Sequence, residues 1–139
     1  MYVKPIVYLA GNMTPDPKIY EDWVDELVDK IFAKYDCTAA TVKPTEKFIV
    51  RSDLGRIKQS HMMIVNLGVT DLSHHLTGLV VECYEAYKQD MPVYAFTSDN
   101  LKRSQQANSP WLQHSITHEF KSEDDLVTYL MNQENLIVK

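Results

Sequence analysis

The sequence predicts an α/β fold in which helices cover both faces of one parallel sheet. Short apolar runs recur without the alternation of a half-exposed strand, as in "IVYLA" at residues 6–10 and "MMIVNL" at residues 62–67. Segments in which apolar residues follow helical spacing separate these runs. Because crossovers between parallel strands are right-handed, such helices lie on both faces of the sheet.

Length and composition indicate a single domain over residues 1–139. A chain of this size, 45% hydrophobic, can bury one core. The net charge of -5 and the scattering of its 14 Lys and Arg argue against a nucleic-acid partner. No signal-peptide pattern and no run of about 18 apolar residues occur, so we predict a cytoplasmic protein without a membrane span. Cys37 and Cys83 match neither a disulfide framework nor a zinc spacing, which predicts free thiols.

The first strand ends at Gly11 and Asn12, and an amphipathic helix follows it. Asp16 is placed to cap this helix, and Pro17 suits its first turn. The apolar positions that share one helical face are Ile19, Tyr20, Trp23, Val24, Leu27, Val28, Ile31 and Phe32.

The middle of the chain repeats this alternation. A weaker strand is predicted near residues 37–42, followed by a Pro-containing connection and a short helix over about residues 52–60. After the strand at residues 62–67 come a polar loop and a helix over about residues 77–89. "PVYAF" at residues 92–96 predicts the fourth strand.

The end of the chain is predicted to add one strand and one helix. "SITHEF" at residues 115–120 indicates a fifth strand, after a polar segment that contains Pro110 and Trp111. The closing helix spans about residues 122–133, with Ser122 as N-cap and acidic residues in its first turn. Five such strands predict a flavodoxin-like (Rossmann-like) three-layer fold of order 2-1-3-4-5, with 3-2-1-4-5 as the alternative.

The order 2-1-3-4-5 places a ligand beyond the carboxyl ends of the first and third strands, where the strand order reverses. The loop leaving the third strand leads directly to a helix in which Glu82 interrupts the apolar run "LVVECY". At 100° per residue, Glu82 lies at the edge of the apolar face, next to Leu79 and Ala86. It can therefore border the crevice, although the helix dipole alone also favours a Glu near a helix N-terminus.

Four segments, taken in order, carry a family resemblance: "VYLAGNM", "RSDLGRIKQSHMMIVNL", "TGLVVECYEAYKQDMPVYAF" and "SPWLQHSITHEFKSEDDLVTYL". They resemble the opening strand and loop, the Asp-containing helix with the third strand, the glutamate-bearing helix with the next strand, and the closing elements of one enzyme family. This is the nucleoside 2-deoxyribosyltransferase family, including its nucleotide N-glycosidase relatives. As in that family, a glycine, Gly78, precedes the glutamate by four positions.

The resemblance implies cleavage or transfer at the N-glycosidic bond of a 2'-deoxynucleoside or deoxynucleotide, with a free nucleobase as the second partner. Glu82 would be the nucleophile that forms a covalent glycosyl intermediate. Tyr8 would position or tune its carboxylate, and Asp53 would help to protonate the leaving base. The resemblance also implies a homo-oligomer that needs no metal or other cofactor. The substrate-binding candidates are Gly11, Asn12, Asn66, Ser73, His75 and Gly78.

The loop before the Glu82 helix carries Ser73, His74 and His75, whose hydroxyl and imidazole groups can donate to the oxygens of a 5'-phosphate. A solvated polar loop is the alternative interpretation. The chain departs from the family pattern at Leu76 and Leu79, where many members carry Asp and Thr. These departures favour a second hypothesis, a non-catalytic nucleotide-binding or ligand-sequestering module on the same fold.

Overall fold

The computed structural model describes residues 4–12, 16–39 and 46–134, and it gives side chains for these ranges except residues 46–50. Strands and helices alternate along them. In chain order the elements are β1 (Ile6–Gly11), α1 (Pro17–Ile31), β2 (Asp36–Ala39), α2 (Glu46–Gln59), β3 (Met62–Asn66), β4 (Gly68–Val69), α3 (Thr77–Lys88), β5 (Val93–Phe96), β6 (Lys102–Arg103), a 3-10 helix (Gln105–Asn108), α4 (Pro110–Ser115), β7 (His118–Glu119) and α5 (Glu123–Met131).

The main sheet has five parallel strands in the order β2-β1-β3-β5-β7. The skipped strands β4 and β6 pair antiparallel in a separate two-stranded sheet. Numbered along the chain, the order 2-1-3-5-7 differs from the predicted 2-1-3-4-5, because the two short strands β4 and β6 were not predicted and lie outside the main sheet. The predicted α/β fold class is confirmed. In this register Tyr8 lies beside Thr38 and Met63, and Gly11 lies beside Asn66 at the carboxyl ends of β1 and β3.

Helices α1 and α5 pack on one face of the main sheet. The Asp16 side chain accepts a hydrogen bond from the Lys18 N–H at 2.9 Å, so the predicted cap of α1 is present. Trp23 of α1 contacts the ring of Phe96 in β5, with ring centroids 5.8 Å apart. The buried residues of α1 are Tyr20, Trp23, Val24, Leu27 and Ile31.

Helices α2, α3 and α4 pack on the opposite face, where α3 contacts both other helices and strands β1, β3 and β5. The buried side of α3 consists of Leu79, Cys83 and Ala86. Because successive side chains of a strand point to opposite faces, Tyr8 faces these helices, whereas Gly11 faces Trp23. The main sheet therefore separates two layers of helices.

Two elements in the first half of the chain begin earlier than predicted. The helix predicted over residues 52–60 begins earlier, at Glu46. The predicted second strand covers Asp36–Ala39 of the described residues, and residues 40–42 lie outside them. Cys37 and Cys83 are free thiols, and burial raises the pKa of both.

The segment after β5 contains structure that was predicted as an irregular polar connection. It holds β6, the 3-10 helix and α4. Ser109 caps α4 through its hydroxyl, which accepts from the Leu112 N–H at 3.4 Å, and Pro110 occupies the first turn. The strand predicted over residues 115–120 is consequently only His118–Glu119, because Ser115 belongs to the helix.

The closing helix agrees with its prediction. The Ser122 hydroxyl accepts from the Asp125 N–H at 3.1 Å, so Ser122 is confirmed as the N-cap of α5. Within the described ranges, no α-helix has the length and apolar character needed to cross a membrane.

Candidate active site

A hydrogen bond between Tyr8 and Glu82 joins the main sheet to α3. Tyr8 lies in the middle of β1, and its side chain is 0% exposed. Its hydroxyl donates to Oε2 of Glu82, 74 positions away in the sequence. Glu82 meets Tyr8 because Leu79, Cys83 and Ala86 turn this side of α3 toward the core. The structure thus brings two predicted catalytic side chains into contact.

The environment of Glu82 disfavours its negative charge. Burial raises the pKa of the Glu82 carboxyl to about 7, because the charged form loses solvation. The hydrogen bond from Tyr8 lowers this pKa, and the negative charge of Asp53 raises it. Near neutral pH, Glu82 is therefore poised between its protonated and ionised forms.

The pKa of Tyr8 is also raised, first by burial and then by the negative charge of Glu82. Its hydroxyl consequently stays protonated and remains a hydrogen-bond donor. A neutral donor can hold the Glu82 carboxylate without compensating its charge, so the carboxylate keeps its nucleophilic character.

Asp53 of α2 lies close to this pair. It is 9% exposed, and its charge acts on both Tyr8 and Glu82. Arg56 Nη1 lies 3.4 Å from Asp53 Oδ1, one helical turn further along α2. Arg56 was not among the predicted site residues, although its spacing of three positions from Asp53 is a usable signal. All three predicted catalytic residues therefore share one face of the sheet.

Asn66, at the carboxyl end of β3, holds two loops together. It is 1% exposed, its Nδ2 donates to Ser98 Oγ at 2.7 Å, and its Oδ1 accepts from the Gly68 N–H at 3.0 Å. The Ser98 N–H also donates to Oδ1, at 3.3 Å. These bonds tie the segment after β3 to the segment after β5, so Asn66 shapes the edge of the sheet from within the protein.

The glycine at the end of β1 is explained by packing. A Cβ atom at Gly11 would lie 2.6 Å from Cζ2 of Trp23, which is too close for any side chain. This contact accounts for the glycine whether or not a sugar approaches there. Asn12 follows directly at the same edge of the sheet.

The loop predicted to bind phosphate is organised around Asp71. The Ser73 N–H donates to Asp71 Oδ1 at 2.9 Å, and the His74 N–H donates to the Asp71 carbonyl at 3.0 Å. These contacts with Ser73 lower the pKa of Asp71, so this carboxylate is negatively charged at neutral pH. A negative charge beside Ser73 works against phosphate binding there. The structure does not connect this loop to Glu82 by a direct hydrogen bond within the described residues.

Two leucines at the start of α3 stand at the positions where the chain departs from the family pattern. Leu76 and Leu79 are 2% and 3% exposed and belong to the core. Gly78 between them is exposed, and a Cβ atom there would meet nothing within 4 Å. The Leu76 N–H donates to Oε1 of Gln106. Gln106 was not among the predicted site residues, because it lies 30 positions from Leu76 in the sequence.

One groove in the described part of the chain lies away from the Tyr8 and Glu82 pair. A groove of about 420 Å³ lies on the opposite face, between α1 and the start of α5. Its rim includes the exposed carboxylates of Asp22, Glu26 and Asp124, and neither Tyr8 nor Glu82 lines it. We regard the Tyr8 and Glu82 pair as the better candidate for the site, because exposed carboxylates are well solvated and need no ligand.

Across the described part of the chain, no group of three or more His, Cys, Asp or Glu could hold a metal ion.

Comparisons with known proteins agree with the fold. No family model and no curated protein matches the sequence. A 2-desoxiribosyltransferase from Leishmania mexicana has a similar structure, with a TM-score of 0.59 and 15% sequence identity over 68% of this chain. The match spans 65% of the length of that protein. A 3-dehydroquinate dehydratase-like protein from Bifidobacterium longum aligns over 93% of this chain and 94% of its own, at 11% identity and a TM-score of 0.49. The chain therefore shares its fold with a deoxyribosyltransferase.

Proposed function

We propose that this protein cleaves or transfers the N-glycosidic bond of a 2'-deoxynucleoside or deoxynucleotide, with Glu82 as the nucleophile. The observation that carries the proposal is the hydrogen bond from the buried Tyr8 hydroxyl to Glu82, close to the second carboxylate of Asp53. A carboxyl group kept in a desolvated place at a cost to stability is typical of an active site. The fold shared with a deoxyribosyltransferase supports the proposal, but only at the level of the fold.

The proposed reaction has two steps. In the first, a carboxylate oxygen of Glu82 attacks the anomeric carbon, and the bond from that carbon to the base nitrogen breaks. The electron pair of this bond leaves with the base, and Asp53 relays a proton from solvent to the base nitrogen. In the second step, another base or a water molecule attacks the same carbon and releases the Glu82 carboxylate. A base gives transfer, whereas water gives hydrolysis.

We infer a different task for each oxygen of Glu82. Oε2 accepts the Tyr8 hydrogen bond, and within the described residues Oε1 has no hydrogen-bond partner. Oε1 is therefore the oxygen that can attack. Tyr8 fixes the rotation of the carboxyl group, and correct orientation of this kind contributes substantially to enzymatic rates.

In this proposal, Asp53 delivers the proton to the leaving base. General-acid assistance is typically worth roughly 10²- to 10⁴-fold in rate. Arg56, 3.4 Å from Asp53, would stabilise the Asp53 carboxylate that proton transfer leaves behind. The proposed acid thus has a cation beside it on the same helix.

A substrate panel tests the proposal directly. Deoxynucleosides and their 5'-monophosphates are incubated with a second free base, using the wild type, Glu82→Ala and Glu85→Ala. Glu85 lies on the same helix, where it pairs with Lys88 at 2.9 Å, and is the matched control. Base exchange would indicate transfer and free sugar would indicate hydrolysis, and either must disappear in Glu82→Ala but persist in Glu85→Ala.

The same panel distinguishes the second hypothesis. If no substrate reacts but an intact deoxynucleotide binds to the wild type, the chain is a nucleotide-binding module and the enzymatic proposal is wrong. Mass spectrometry of rapidly quenched reactions provides an independent check. A 2-deoxyribosyl adduct on the peptide that contains Glu82 is expected during turnover.

A further inference from the structure

The helix that carries Glu82 lacks a capping side chain of its own. Leu76 occupies the N-cap position of α3 and makes no side-chain cap bond. In a capping box, a Glu or Gln at the third helical residue reaches back to the N–H of the N-cap residue, and here that position is Leu79. Both leucines are buried, so core packing occupies two positions that commonly stabilise a helix start. Gly78, between them, weakens the first turn further.

Gln106 makes the missing contact from another part of the chain. Its Oε1 accepts from the Leu76 N–H, which is the bond that a capping-box residue would make from within the helix. Gln106 is itself anchored, because its N–H donates to Ser104 Oγ at 3.2 Å and the Ser104 N–H donates to the Leu67 carbonyl at 2.9 Å. Ser104 is buried. Gln106 therefore links the start of α3 to the chain immediately after β3.

The contact with Leu76 also fixes which way the Gln106 amide points. Since Oε1 faces an N–H donor, Nε2 faces Nδ1 of His75, at 3.2 Å. Nδ1 then accepts, and the proton of the neutral His75 ring resides on Nε2. Both ends of the Gln106 amide are engaged, so its orientation is set by two residues at the start of α3.

We propose that Gln106 is a positioning residue that replaces the capping box of α3 and holds Glu82 against Tyr8. The inference rests on the proposed function, in which Glu82 is the nucleophile. Tyr8 is fixed within β1, so the geometry of the pair depends on where α3 places Glu82. Glu82 lies six positions after Leu76, in the second turn, and fraying of the first turn would loosen it.

Three variants separate this role from a general effect on the fold. Gln106→Ala removes both contacts. Gln106→Glu keeps an accepting oxygen for the Leu76 N–H, and its negative charge suits a helix N-terminus. Gln105→Ala is the matched control, because Gln105 is an exposed neighbour in the same 3-10 helix.

The first measurements need no substrate. Hydrogen exchange of the amides of Leu76 and of residues 80–82, which are hydrogen-bonded, is followed together with an NMR titration of the Glu82 carboxyl group. Gln106→Ala is expected to raise exchange by roughly 2- to 30-fold, the range that corresponds to a lost cap, and to displace the Glu82 titration. Gln106→Glu should restore both, and Gln105→Ala should change neither. In the active protein, Gln106→Ala should lower kcat by roughly 10- to 100-fold with little change in KM.

Unchanged exchange and an unchanged Glu82 titration in Gln106→Ala would overturn the proposal. If Gln106→Ala does not fold, Gln106→Asn takes its place, since its shorter side chain leaves the amide short of Leu76. Unfolding of both variants would also overturn the proposal, because the contact would then serve the whole fold. A chain without activity toward any deoxynucleoside would refute the proposed function alone, since exchange and titration would still report on Glu82.

Discussion

At the scale of single residues, burial of the Glu82 carboxyl group destabilises the fold and brings its pKa to about 7. This carboxyl group is desolvated and close to Asp53, and among the described residues only the Tyr8 hydrogen bond favours its charge. The periodicity of α3 placed Glu82 at the edge of the apolar face, but it could not reveal this environment. Residues that destabilise a fold in this way are typically kept for function.

The raised pKa of Glu82 predicts how the protein's stability depends on pH. Because the folded-state pKa is about 7 and the ordinary value is 4.5, the folded chain binds this proton more tightly than the unfolded chain. The stabilisation is complete below pH 4.5 and is lost as the pH rises through 7. At pH 8, the free energy of unfolding of Glu82→Gln should therefore exceed that of the wild type by about 1–3 kcal/mol. The variant should accordingly unfold at a higher urea concentration.

The difference between Glu82→Gln and the wild type should vanish at pH 4, where both side chains are neutral. Urea denaturation at the two pH values measures it. Equal stability at pH 8 would show that the Glu82 carboxyl is not desolvated. Glu85→Gln, at a surface ion pair on the same helix, should show no comparable gain.

The Tyr8 hydroxyl predicts a shift in the pH dependence of activity. The nucleophile must be ionised, so the rate should rise with pH through a midpoint near 7. Tyr8→Phe removes the hydrogen bond that lowers the pKa of Glu82, which moves the midpoint to higher pH. At pH 7 the rate should fall roughly tenfold or more, since hydrogen bonds to charged groups are worth about 1.5–3 kcal/mol.

Tyr20→Phe is the control for this measurement. Tyr20 is also buried, and its hydroxyl donates to the Leu9 carbonyl at 2.6 Å rather than to Glu82. Its pH–rate profile should keep the wild-type midpoint. A profile for Tyr8→Phe that coincides with that of Tyr20→Phe would count against a direct role of the Tyr8 hydroxyl.

At the scale of elements, the ends of β1 and α3 show that two glycines in the predicted site have different origins. Gly11 ends β1 against Trp23 of α1, and its lack of a side chain is a packing requirement. Gly78 lies in the first turn of α3, in open space, one turn before Glu82. The sequence offered both as substrate-binding candidates, because it cannot show which neighbours a glycine meets.

The two glycines should respond in opposite directions to alanine. Gly11→Ala places Cβ 2.6 Å from Trp23, so we expect destabilisation by about 1–3 kcal/mol, as for other overpacked cores. Gly78→Ala meets no steric obstacle and should stabilise the chain by about 0.4–1 kcal/mol. Thermal or urea unfolding measures the change in stability of each variant. A similar change in the two would contradict this explanation of Gly11.

At the scale of the whole molecule, exposed aromatic side chains gather on α3 and α4. Trp111 is 66% exposed, and its ring contacts that of Tyr84, with centroids 6.2 Å apart. Together with Tyr87, these rings line an apolar groove of about 300 Å³. We call this surface the aromatic patch. Its lining residues include no carboxylate, so on a chain of net charge -5 it is a surface on which two copies could meet without repulsion between acidic groups.

The expected homo-oligomer should therefore depend on the aromatic patch. Trp111→Glu adds a negative charge at its centre and should convert the oligomer to monomer in size-exclusion chromatography with light scattering. Phe32→Glu adds the same charge at an aromatic residue that is 59% exposed and lies outside the patch, at the end of α1. It should leave the oligomer intact. A monomeric wild type would show that the expectation is wrong.

Most of the fold was predictable because its signals are local. The caps at Asp16 and Ser122 and the helical spacing of apolar residues each depend on side chains a few positions apart. The segment after β5 was mispredicted, although Ser109 and Pro110 carry a helix-start signal. The reason is that both elements in it are short, since α4 has six residues and the strand β7 that follows it has two.

The sequence by itself determined the layers and the helix that presents Glu82 to the sheet, and it left two strand orders open. Only the tertiary structure decided that Tyr8 donates to Glu82 across 74 positions and that Gln106 reaches the start of α3 across 30. It also decided that Leu76 and Leu79 serve the core. The reason is physical: periodicity and capping act within a few residues, whereas desolvation, pKa and contacts between distant segments exist only once the helices have packed on the sheet.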